Sequence, residues 1–237
     1  MNSQSPVPSD TEQSRFNVGA LGDLVVILAV LVIVKQSLLP ISFLYAGPAS
    51  TFTAMAVGTI LLHRRGMRWH DLGLRWPQSW WKTVALAIFT FFVFASAMQV
   101  MGLVADYFFE DVGASGRFDH IEGNLGAYLG VMFLTWTHAA LFEELLFRAF
   151  IINRASGFLG GGLKADLVAA VFSAAFFGYR HYYYQGMNGA LTTGAAGLAF
   201  ALLYLWFGRQ NILPLVFAHG TMNSLGMTFR YLGIRSD

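Results

Sequence analysis

The chain has 237 residues, 56% of them hydrophobic and only 12% charged, with 22 Phe, 9 Tyr and 6 Trp. That leaves too little polar surface to cover a soluble core, and it excludes intrinsic disorder for the same reason. The net charge of +2 is the Lys/Arg excess expected in the cytoplasmic loops of an integral membrane protein rather than the field of a nucleic-acid binder. With no cysteine, disulfides, thiolate metal sites and a cysteine nucleophile are impossible.

Residues 1–18, MNSQSPVPSDTEQSRFNV, are polar and rich in Ser and Pro. They lack the basic-then-apolar layout of a signal peptide and read as a disordered tail ahead of one membrane domain, 19–237. Windows of roughly 20 apolar residues then predict an all-α, polytopic membrane helix bundle of about seven transmembrane helices, an eighth being allowed, with an intramembrane active site. The spans are 20–44, 47–62, 83–104, 126–152, 166–184, 190–207 and 212–232. The second is short enough to tilt or re-enter. Lys35 in the first span and Arg230 near the end of the last are expected to snorkel.

Between spans two and three, HRRGMRWHDLGLRWPQSWWK carries Arg64, Arg65, Arg68, Arg75 and Lys82, and later connections carry Arg154, Lys164 and Arg209. The positive-inside rule makes these loops and the N-terminus cytoplasmic in a plasma or inner membrane. The stretch 106–126, with Asp106, Glu110, Asp111, Asp119 and Glu122, suits the opposite side as a solvated face. Trp76, Trp80 and Trp81, and Tyr182 to Tyr184, are expected to be interfacial anchors.

An ionisable residue inside a membrane is expensive, so each is a functional hypothesis by default. HAALFEELLFRAF in span four places Glu143, Glu144 and Arg148 in an apolar helix. At about 100° per residue Glu144 and Arg148 share a face, which leaves Glu143 for chemistry. Span five offers Phe177 and His181 four apart, and span seven offers His219 and Asn223 four apart. Either pair alone reads as interfacial polarity or interhelical hydrogen bonding; three converging polar faces read as a site.

A carboxylate and an imidazole can take a proton from water, while a second imidazole and a carboxamide stabilise an oxyanion. Glu143, His181 and His219 equally form the two-His, one-carboxylate set that holds catalytic zinc or another divalent metal, and both routes stay open here. HExxH, GxGD and Gly-x-Ser-x-Gly are absent from the sequence. Depth introduces a mismatch. At about 1.5 Å per residue, Glu143 lies about 16 Å below Arg154, His219 about 12 Å past Asn211 and His181 about 22 Å past Asp166, so His181 is predicted too deep unless its helix tilts or begins outside lipid.

Glu143-Glu144-x-x-x-Arg148, Phe177-x-x-x-His181 and His219-x-x-x-Asn223 resemble the three motifs of the CPBP family. These are the CAAX proteases and bacteriocin-processing enzymes, also called the Abi family, which include the Ras-converting CAAX endopeptidase. The resemblance covers about 126–230; DLGL at 71–74 is similar to family members but short. It implies a multi-pass helical endopeptidase acting on a membrane-anchored protein or peptide, near its C-terminus or at the membrane boundary, in a lipid bilayer and without nucleic acid. It also implies Glu143 as catalytic glutamate, His181 as its partner in activating water, and His219 with Asn223 as the oxyanion pair. Glu144, Arg148 and Phe177 are implied as supports. Members are described both as metalloproteases and as metal-independent, so a metal stays open. Arg180 and Tyr182 to Tyr184 depart from the family pattern around His181 and bear on the shape of the substrate pocket. The alternative is an ion-coupled transporter or scaffold using the same Glu/His cluster, but the inverted repeats of a transporter are absent.

Overall fold

The computed structural model describes residues 17–110 and 116–234, and among them all regular structure is helical. Residues 1–16 of the polar tail and Asp111 of the acidic stretch lie outside the described residues. The long helices are α1 (Val18–Leu38), α2 (Ala46–Arg64), α3 (Trp80–Phe108), α4 (Leu125–Phe158), α5 (Gly162–Trp206) and α6 (Leu213–Tyr231). Their starts follow from side-chain chemistry. Asn17, Ser79 and Asn124 accept hydrogen bonds from the backbone N–H of Ala20, Lys82 and Ala127, capping α1, α3 and α4, and Pro214 fits the first turn of α6.

Four of these helices, α1, α3, α4 and α5, are long and apolar enough to cross a membrane. The other two expected spans are helical, but residues such as Ser50, Thr51 and Thr53 in α2 and His219, Thr221 and Asn223 in α6 keep them out of that set. The expected spans 166–184 and 190–207 are the two helical arms of α5, which meet at Gly186 (φ 63°, ψ −163°), a non-helical conformation essentially restricted to glycine.

Close approaches on either side of that junction prove its sharpness. A Cβ on Gly178 would stand 2.4 Å from the carbonyl oxygen of Ala190, and one on Gly197 would stand 3.4 Å from the Cα of Ala174. A straight helix would hold Ala174 and Gly197 about 34 Å apart. The two arms therefore pack against each other through Gly178, Gly194 and Gly197, small residues that let helix backbones touch. At about 1.5 Å per residue both arms reach about 30 Å or more, the thickness of a hydrocarbon core.

Helix α4 occupies the centre, packed on α1, α2, α5 and α6. Every residue from Glu143 to Ile152 is buried, as expected of a helix surrounded on all sides. In α3, by contrast, only 11% of the most apolar window is buried, the pattern of a helix facing lipid. Trp76 and Trp81 stay exposed beside its start, as interfacial anchors should.

Two side chains depart from expectation. Lys35 does not snorkel: it is buried, its Nζ donates to the Arg180 carbonyl at 2.5 Å, and it lies 3.6 Å over the Tyr183 ring. Arg180 is buried too, donating to the Leu31 carbonyl and to the hydroxyls of Ser50 and Thr51. The two cations are satisfied by oxygen acceptors and pin α5 to α1 and α2, the requirement for keeping charge in a low-dielectric interior. Tyr182 remains exposed as an anchor, whereas Tyr183 packs inward on Lys35 and Phe43.

At the opposite end Asp166 joins Ser156 and Arg209, Arg209 reaches Asn153, and the Ile212 N–H donates to the Gly73 carbonyl within DLGL. This network sets a common depth. Counting from the Ser156–Asp166 contact, Glu143 and His181 are 13 and 15 positions along their helices, which narrows the expected mismatch between these two.

Candidate active site

The first motif lies where α4 changes register. Thr135–Phe142 and Glu144–Ile152 are π-helical, and the Glu143 N–H donates to the carbonyl of His138, five residues back. In this wider turn residues five apart become neighbours, whereas in an α-helix they would diverge by about 140°. His138 Nε2 accordingly stands 3.6 Å from Glu143 Oε1. The sequence reading missed His138, because its spacing matches no α-helical face.

Glu144 turns away from Glu143 into the core, as the periodicity predicts, and meets Arg148 at 3.2 Å. The Arg148 guanidinium also lies 4.5 Å from the centre of the Phe177 ring and faces Phe200. Glu144 Oε1 further accepts from His219 Nδ1 at 2.8 Å, a pairing the sequence did not reveal. Both carboxylate partners are almost wholly buried: Glu144 is 0% exposed and Arg148 1%. The motif's second glutamate and its arginine therefore orient an imidazole as well as each other.

On α5, His181 Nδ1 lies 2.8 Å from the Phe177 carbonyl. A carbonyl can only accept, so Nδ1 carries the hydrogen, and the remaining nitrogen of the neutral ring, Nε2, is an acceptor. Phe177 itself sits at the junction of the three motifs, its ring 4.7 Å from His181, 6.4 Å from His219 and 4.9 Å from Phe147. On α6, Gly220 lets the Trp136 ring of α4 lie against the backbone next to His219; a Cβ there would fall 2.6 Å from that ring.

Glu143, His181, His219 and Asn223, together with His138 and Phe177, line one cavity of about 540 Å³. Tyr184, Arg117 and Arg230 line it as well, while Arg180 does not: of the departures around His181, Arg180 serves helix packing and Tyr184 forms part of the wall. His181 forms no hydrogen bond or ion pair with Glu143 among the described residues; the imidazole at ion-pair distance from Glu143 is His138. Nor do any three His, Asp or Glu side chains among the described residues group closely enough to hold a metal ion. His219 Nδ1 is held by Glu144 and His181 Nδ1 by a carbonyl, which leaves Nε2 of each ring as the nitrogen available to the cavity.

Residues 125–225, which contain all three motifs, match the family model of type II CAAX prenyl endopeptidase, Rce1-like. That segment is thus similar to the CAAX prenyl endopeptidases, consistent with the family its motifs resemble. No curated protein and no solved structure matches the chain.

Proposed function

We propose that the protein is a glutamate-type intramembrane endopeptidase that hydrolyses a peptide bond near the C-terminus of a membrane-anchored protein or peptide. The observation that carries this reading is the convergence of Glu143, His181, His219 and Asn223, from three helices, on one cavity inside the helical bundle. The matched family's description names a CAAX prenyl endopeptidase, which supports this substrate class. On this reading all seven apolar segments cross the membrane, α5 contributing two of them, and the N-terminus is cytoplasmic in a plasma or inner membrane.

The two imidazoles are suited to different tasks. His181, with its hydrogen on Nδ1 directed at Phe177, offers an Nε2 lone pair that accepts from water and aims it at the scissile carbonyl. Glu143 takes the water proton as the water oxygen bonds to the carbonyl carbon. The oxygen of the tetrahedral intermediate receives hydrogen bonds from Asn223 Nδ2 and from the Nε2–H of a doubly protonated His219, whose Nδ1–H is held by the Glu144 carboxylate. Glu143 then returns the proton to the departing amine nitrogen as the carbon–nitrogen bond breaks. Alanine at Glu143, and separately at His181, abolishes cleavage while the folded protein still accumulates in the membrane. Full activity in either variant contradicts the assignment.

A further inference from the structure

We propose that His138 is a positioning residue for Glu143, holding Oε1 so that Oε2 faces the water; the proposal rests on the proteolytic reading above. Its basis is the π-helical register. Only that register puts His138 and Glu143 on one side of α4, where Nε2 and Oε1 are 3.6 Å apart and both residues line the cavity. This is a few tenths of an ångström beyond a formed hydrogen bond, the looseness typical of catalytic contacts before substrate tightens them.

Two further observations point the same way. His138 Nε2 is shielded from solvent and has no hydrogen-bond partner among the described residues. A buried polar nitrogen in that state costs free energy, and Glu143 is the acceptor within reach of a small ring rotation. The ring is also braced: it packs at 6.4 Å on Phe52, which meets Phe142 edge-on. The imidazole is thereby fixed on the α2 side of Glu143.

A carboxylate with two free oxygens can rotate and present either one to water. Donation from His138 Nε2–H to Oε1 removes that freedom and leaves a single basic oxygen in line with the reacting carbonyl. The proton taken from water resides on Oε2 and goes from there to the amine, so His138 itself neither gains nor loses a proton over the cycle. Misplacement of a catalytic group by about 1 Å can cost about 10²-fold in rate.

The test uses the full chain in its own membranes, with the cell's membrane proteome as probe and the rate of appearance of wild-type-dependent cleaved termini, measured by mass spectrometry, as readout. His138→Phe keeps the ring and its packing on Phe52 but cannot donate; His138→Gln loses the ring but restores a donor. A packing role favours Phe, and a positioning role favours Gln. We expect cleavage about 10²-fold slower in His138→Phe and largely recovered in His138→Gln, with both proteins as abundant as wild type. Wild-type rates in His138→Phe, or equal loss in both variants, overturn the proposal. If His138→Phe fails to accumulate, His138→Leu against His138→Gln makes the same comparison with the same expected order. Glu143→Gln separates the two readings: wild-type rates there remove the proteolytic reading and this one with it, whereas wild-type rates in His138→Phe alone remove only this one.

Discussion

Replacing Glu144 by leucine separates what the buried ion pair does for stability from what it does for the site. Arg148 is 1% exposed and its nearest anion is Glu144 at 3.2 Å; its other contacts are the Gly197 carbonyl at 3.4 Å and the faces of Phe177 and Phe200. Removing one partner of such a pair leaves an uncompensated buried charge, a loss of about 3–5 kcal/mol. That is a large fraction of the roughly 5–15 kcal/mol by which folded proteins are stable. Replacing both partners, in Glu144→Leu with Arg148→Met, removes the stranded charge, and such swaps are commonly neutral or stabilising by about 1–4 kcal/mol. Thermal unfolding of the purified protein in detergent should therefore place Glu144→Leu well below wild type and the double variant close to it. Cleavage should fail in both, because His219 Nδ1 has lost the carboxylate that orients it. A double variant as unstable as the single one refutes the ion-pair reasoning, and an active double variant refutes the role given to Glu144 in holding His219.

Three other outcomes follow from separate parts of the molecule. Gly178→Ala should lower the unfolding midpoint, because its Cβ would meet the Ala190 carbonyl at 2.4 Å and cannot be relieved by a side-chain rotation; overpacking of this kind costs about 1–3 kcal/mol, and an unchanged midpoint would contradict the fold at Gly186. Asn223→Ala should slow cleavage by about 10²–10³-fold, the usual effect of removing one oxyanion donor, with expression and stability unchanged. Incubation with a chelator should leave cleavage unchanged, since no three-ligand group is formed among the described residues; a loss that zinc restores would show that the cavity rearranges around a metal.

The sequence was most informative where ordinary α-helical geometry held. The pairs Phe177/His181 and His219/Asn223, each four apart, share faces of helices that meet α4, so their arrival at one cavity with Glu143 could be read from spacing. Glu144 with Arg148 was legible as well, because residues four apart stay on one side of the helix even in its π-helical stretch. Legibility ended where backbone geometry changed. The π-helical stretch of α4 brings His138 to Glu143 through a five-residue spacing that α-periodicity assigns to another face. Gly186 joins the two arms of α5 through a single non-helical residue where a longer connection, 185–189, was expected. The fates of Lys35, Arg180 and His219 depend on partners 75 or more positions away in sequence, and local patterning carries no trace of such contacts.

The central claim, proteolysis through Glu143, is tested most directly by comparing all protein termini in membranes and secreted fractions from cells carrying wild type or Glu143→Ala at matched expression. We expect one or a few membrane-anchored precursors to accumulate uncut in the variant, each marking a cleavage site near its C-terminus. Identical sets of termini, with both proteins folded and equally abundant, would contradict the claim and turn the cavity into a transport or scaffold feature.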